Sequence, residues 1–223
     1  MTEWSSSFPK GYWASSYVLE GALRQVTLET FLDLMRQGEG SLTGWPVWWV
    51  PDREDMEPYV MDGLFECFMG PGLPAYSDFW RASPSGRFFL ARGYQEDSDS
   101  KLDPGSILDL TLPIWRTGEC LLHASRMASL MGDPQASVRM RMRWTGLAGR
   151  RLAAWANPAR DVRRRVARQD EVASEVEVAA DAVEESLPAL VLSLTRPLYE
   201  IFNAFRSSEE MVVQELTRLR KRQ

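Results

Sequence analysis

Residues 138–144, Val-Arg-Met-Arg-Met-Arg-Trp, alternate without a break. Val138, Met140, Met142 and Trp144 fall on one side and Arg139, Arg141 and Arg143 on the other, a period of two that predicts a half-buried strand. Residues 171–178 repeat the pattern, with Val172, Val176 and Val178 inward and Glu171, Glu175 and Glu177 outward. Further strands are predicted near 15–20, at 44–51 between two prolines, at 60–69 and at 106–112. Residues 77–82 and 87–94 form a hairpin around a turn that supplies Pro84 and Gly86, and 71–74 and 95–105 are loops. Helical spacing begins at Thr27, with a stripe of Phe31, Leu34 and Met35 and a stop at Gly38. It returns at 114–131 behind Pro113, and at 187–205, where Pro197 predicts a kink or break. The final helix, 207–222, opens on a capping box, Ser207 to Glu210. This order predicts an α+β fold: a largely antiparallel sheet with helices on one face and a C-terminal helical subdomain. The expected division is an α+β domain over 1–180 and a helical segment over 181–223 packed on it.

The chain has 223 residues, enough for a large core, and 44% of them are apolar. That excludes global disorder, a collagen-like repeat and a stapled mini-protein. A single histidine excludes any site that needs two, and two cysteines exclude a disulfide framework and a four-cysteine zinc site. No apolar run approaches the ~20 residues that cross a bilayer, and residues 1–10 lack the apolar stretch of a secretory signal. The expectation is a cytoplasmic protein without a membrane partner, with Cys67 and Cys120 as thiols.

The net charge of −5 hides an asymmetry. Residues 134–168 hold ten arginines and one acid, Asp161, a net of +9 that leaves −14 for the rest. Two readings of this segment are open. One is a ladder in which Arg139, Arg141 and Arg143 face Glu171, Glu175 and Glu177, at about 0.2–1 kcal/mol per good pair. The other is a nucleic-acid surface, carried by the surplus at Arg160, Arg163, Arg164, Arg165 and Arg168, with the basic tail 218–222 beside it.

Nine tryptophans call for a core of large rings or a ring-lined pocket. In the pocket reading Trp45, Trp48, Trp80 and Trp115 line it, and Glu66, Arg81, Arg116, Glu119 and His123 are its polar handles. Acids and arginines set among apolar residues must be paired if buried. Cys120 and His123 fall on adjacent turns of one helix, so a catalytic thiol stands beside the alternative of a buried structural cysteine. No phosphate-binding glycine loop, paired-carboxylate signature or Ser/His/Asp set accompanies them, and no cofactor or metal is expected.

Several stretches taken together carry a resemblance: 44–51, 62–67, 77–98, 109–128, 143–152, 168–172 and 187–205. In this order the chain resembles the C-terminal region of bacterial Schlafen/AlbA-type ATP-binding (DNA-binding) transcriptional regulators, over about residues 40–220, without the AlbA-type domain itself. The resemblance implies a sensor or effector module that accompanies a nucleic-acid-acting domain, and it supplies no catalytic residue. The expected function is a non-enzymatic module that binds a small ligand or protein partner and regulates such a domain. Direct nucleic-acid binding through 139–168, and an enzyme using Cys120 and His123, are the alternatives. The strongly apolar segment 187–205 and the stripe Met211, Val212, Leu216, Leu219 either plug the fold or form a homodimer interface; the second is the expectation.

Overall fold

Residues 12–20 read Tyr-Trp-Ala-Ser-Ser-Tyr-Val-Leu-Glu, and in the computed structural model every second side chain from Trp13 to Leu19 is buried. The structure describes residues 3–40, 42–43, 45–70, 77–162, 165–204 and 209–220. The first strand, β1 (Tyr12–Glu20), is followed by β2 (Tyr59–Met61), β3 (Leu64–Met69), β4 (Asp78–Ser83) and β5 (Arg87–Gly93). Then come β6 (Ile107–Asp109), β7 (Ser137–Trp144), β8 (Arg151–Ala153) and β9 (Val172–Ala179). The α-helices are α1 (Leu28–Gly38), α2 (Leu112–Leu130), α3 (Val183–Glu200) and α4 (Glu209–Arg220). Seven strands form one antiparallel sheet in the order β2-β3-β4-β5-β1-β7-β9, while β6 and β8 make a separate parallel pair. The fold is α+β.

Register sorts the side chains onto two faces. Asp78, Arg92, Trp13 and Trp144 lie in one row across four strands, on the face that the helices cover. Glu66, Arg81, Phe89, Ser16, Arg141 and Glu175 lie in a row across six strands on the opposite face. The alternation of β7 is realised, with Val138, Met140, Met142 and Trp144 buried and Arg139 and Arg141 exposed. Helix α2 is buried at every residue from Leu112 to Ala124, because sheet, α1, α3 and α4 surround it. Its start is capped from a distance of two and three residues: Asp109 Oδ1 accepts the amides of Thr111 (2.8 Å) and Leu112 (2.7 Å). Thr27 caps α1 by accepting the Thr30 amide.

Four expected elements come out differently. Residues 45–51 form no strand. Pro46 and Pro51 cannot donate, Trp48 takes a left-handed conformation (φ 50°), and the segment folds over the helix-side face as irregular chain. The single strand expected at 60–69 is a hairpin, β2–β3, turned at Asp62 and Gly63 with φ of 50° and 77°. The strand at 106–112 ends at Asp109, whose side chain has begun the helix. Helix α3 starts at Val183 and passes through Pro197 to Glu200. The loop 71–74, Ser207 of the expected capping box and residues 221–223 lie outside the described residues.

The apolar helices are covered within one chain. Val191, Leu194, Leu198 and Tyr199 of α3 and Val212, Leu216 and Leu219 of α4 are buried in the same core cluster as the sheet and α2. The segment thus plugs the fold, and the argument for a dimer through this face falls away. Among the described residues no helix is long and apolar enough to cross a membrane.

Candidate functional site

The residues expected to line one pocket fall into three places. Trp48, Trp80 and His123 are in the core. His123 lies nearly parallel to Trp48, centroids 4.6 Å apart, and its Nδ1 is 2.9 Å from the Tyr17 hydroxyl. Burial, with the charge of Arg126 behind it, holds the His123 pKa down to about 3, so the ring is neutral. Cys120 is buried and its pKa is pushed up to about 12, which keeps the thiol protonated and poorly nucleophilic.

A second group joins α2 to the segment ahead of it. Arg116 donates to Glu119 (3.0 Å), to Gln95 (3.2 Å) and to the Thr43 hydroxyl. The other Glu119 oxygen accepts the Thr43 amide (2.8 Å) and hydroxyl (2.7 Å). Arg92 and Asp78 form the buried pair beside it, and Arg92 also donates to the carbonyls of Trp45 (3.2 Å) and Pro46 (2.8 Å). The tryptophan-rich segment is clasped from both directions: the Trp80 indole donates to its Trp49 O (2.7 Å), and its own Trp48 indole donates to Phe89 O on β5 (3.1 Å). The rings here fill space. The cavity between Trp13, Trp144, Arg92, Arg116 and Glu96 measures about 20 Å³, room for one water. Trp115 donates its indole hydrogen to Glu215 O on α4, 3.1 Å away. The third group, Glu66, Arg81 and Tyr59, is an ion pair with a phenol hydrogen bond on the opposite sheet face.

The arginine-rich segment divides by partner. Arg143 holds Glu171 with two bonds of 2.8 and 2.6 Å, and Arg139 is paired with Glu20 and, at 3.9 Å, with Glu177. Arg141 stands opposite Glu175 in register, and among the described residues it makes no ion pair. Arg150 spends all five of its N–H groups on Asp97 and on the carbonyls of Gly146, Ile107 and Lys10. Arg160 clamps Glu215 (2.6 Å) and Gln214 (3.0 Å) on α4. It faces a groove of about 450 Å³ that Arg218 also lines. Arg165 and Arg168 are exposed and without an ion pair among the described residues, and Arg163 and Arg164 lie outside them.

A trough of about 560 Å³ lies along β1 on the sheet face that no α-helix covers. Its floor is Ala14 and Ser16. One wall is aromatic, with Trp4, Tyr12 and Phe89; the other is Arg141 and Arg143, with Glu171 behind. Trp4 comes from a 3-10 turn, Glu3–Ser7, and stacks on Phe79 with centroids 5.2 Å apart and planes within 4°. It meets Tyr12 edge-on at 5.5 Å and Phe89 at 5.4 Å. Sequence reading missed the trough. The available signal was the outward alternation Tyr12, Ala14, Ser16, two small residues between large ones on a central strand. Among the described residues no three His, Cys, Asp or Glu side chains gather to hold a metal ion. No family model, no curated protein and no solved structure matches the chain.

Proposed function

We propose that the chain is a non-enzymatic sensing or interaction module. It binds a small ligand or protein partner on the sheet face that no α-helix covers and so regulates an attached or associated nucleic-acid-acting domain. The observation that supports this is the trough: the α-helices occupy one face of the sheet, and the other offers ordered rings beside Arg141, which makes no ion pair among the described residues. The resemblance in the sequence supplies the regulatory setting. The test is a ligand and partner screen read by amide chemical shifts. Shifts gathered on the outward residues of β1, β5 and β7 are expected; a catalytic turnover abolished by one point substitution would overturn the reading.

A second reading rests on the groove between residues 157–160 and α4. It places Arg160 and Arg218 together, and Arg165 and Arg168 are exposed on the same stretch of chain as Arg160. Single-stranded or duplex nucleic acid bound there would lose affinity steeply with salt. Replacing Arg165, Arg168 and Arg218 together by Ala would flatten that salt dependence. No binding to DNA or RNA at low salt would remove this reading.

A further inference from the structure

We infer, building on the interaction reading, that the trough along β1 takes a small planar or aromatic molecule carrying one oxyanion group, a carboxylate or a phosphate. Its ring rests against Trp4, Tyr12 and Phe89, and its charge meets Arg141.

The shape follows from the strand. Ser16 of β1 lies between Phe89 of β5 and Arg141 of β7, and Ala14 lies beside Arg143. Ser16 between two tall neighbours, with Ala14 and its β5 partner Ala91 both small, leaves a slot, and its volume of about 560 Å³ is within the usual range for small-molecule sites. The rings are held before any ligand arrives. Trp4 is braced by Phe79 behind it and by Tyr12 and Phe89 at its edges, so little ordering remains to be done on binding.

The charge pattern selects the ligand. Arg139 and Arg143 are each held by an acid, while Arg141 between them has no ion pair among the described residues. An exposed guanidinium beside aromatic rings suits a carboxylate or phosphate, either of which it can bind with paired hydrogen bonds. One open cation matches one acidic group. A polyanion laid along the same face would run onto Glu171, Glu175 and Glu177 at the β9 margin, so a nucleic-acid strand fits this slot poorly.

The test uses the full chain with indole-3-acetate and 1-naphthyl phosphate as probes. Indole-3-acetamide, an acidic aromatic peptide and an oligothymidylate serve as comparisons. Binding is read from the Trp4 indole N–H resonance, assigned with Trp4→Phe, and the carboxylate and phosphate arms show which oxyanion is preferred. At least one aryl anion should bind, at least tenfold tighter than the neutral amide. Arg141→Gln should weaken it by about ten- to a hundredfold, as expected for losing a charge-assisted bidentate contact. Ser16→Leu should block the slot, and Glu175→Gln should leave affinity equal or higher. Unchanged melting temperatures confirm that these surface variants fold. The inference is overturned if neither aryl anion moves the Trp4 resonance, if the amide binds as well, or if the oligothymidylate or peptide takes this face more tightly. A protein partner that still docks when both aryl anions fail would sink the ligand and leave the interaction reading intact.

Discussion

His123 and Glu96 are buried titratable side chains whose shifts run in opposite senses on the pH axis. The His123 pKa is depressed to about 3 by burial, so on acidification the unfolded chain takes up this proton first. His123 therefore removes stability as pH falls from 6.5 toward 3 and costs nothing above. Glu96 is raised to about 7 by burial, with the Asp109 charge adding to it, so the folded chain keeps its proton longer. Its contribution is lost as pH rises from 4.5 toward 7, and the loss persists at higher pH. Glu96→Gln keeps the acceptor for the Asp109 amide and removes the charge. Denaturant unfolding should show it stabilised by up to about 3 kcal/mol at pH 8 and little changed at pH 4. His123→Phe should flatten the acid limb of wild-type stability between pH 6 and 4. Asp109 is the residue whose loss is felt most widely. Its two oxygens accept four backbone amides, those of Thr111, Leu112, Trp155 and Ala156, and so join α2 to the chain after β8. Asp109→Ala should cost at least ~4 kcal/mol in urea unfolding, since each stranded buried N–H costs about 1–3 kcal/mol. None of these roles was legible in the sequence. Glu96 stands in the acidic stretch 95–105 that reads as loop, Asp109 in the run 106–112 that reads as a strand and hides its capping role, and Asp78 meets Arg92 only once β4 and β5 are in register.

Strands and helices with a clean period were legible in outline, and those that depend on one turn were not. β7 and β9 declared themselves because both alternate, and they pair as neighbours with Arg139 opposite Glu177 and Arg141 opposite Glu175. The ladder between them is incomplete, so its members should differ. Arg143→Ala gives up two short bonds to Glu171 and should cost up to ~1 kcal/mol, whereas Arg141→Ala should stay within about 0.5 kcal/mol, measured as shifts of the urea midpoint. The β2–β3 hairpin was misread as one strand, although Asp62-Gly63 is a strong hairpin dipeptide, because apolar residues continue on both sides of it. Residues 45–51 carry a strand's composition, and the prolines and the left-handed Trp48 exclude the conformation. Beyond its buried apolar stripe, helix α4 is tied down by polar contacts around Glu215. Trp115, Asn157 and Arg160 converge on Glu215, and Gly118 of α2 brings the helices so close that an added Cβ would lie 2.9 Å from Leu216. Gly118→Leu should therefore lift α4: amide exchange across 209–220 should accelerate at least tenfold, with β1, β5 and β7 unchanged.

At the scale of the molecule, the α+β class, the antiparallel sheet and the helix-covered face could be read from order and period alone. The candidate site could not. Sequence pooled Trp48, Trp80, Glu66 and Arg81 because all looked buried and chemical, but alternation sends Trp80 and Arg81 to opposite faces of the same strand. It overlooked the trough because Ala14 and Ser16 are informative only beside Phe89 and Arg141, which arrive from strands far along the chain. That placement of β1 has a consequence for synthesis. The first strand made is the keystone between two halves of the sheet, paired with residues 87–93 on one side and 137–144 on the other. A ribosome adding about 5–20 residues per second leaves the β7 edge of β1 unmatched for roughly 6–25 s after β1 is translated. During that interval β1 to β5 can close as an incomplete sheet whose bare edge is a template for wrong partners. Nascent chains halted once β5 has emerged from the exit tunnel, but before β7 has, should be bound by chaperones and cleaved by protease near β1. Those halted after β7 emerges should resist both.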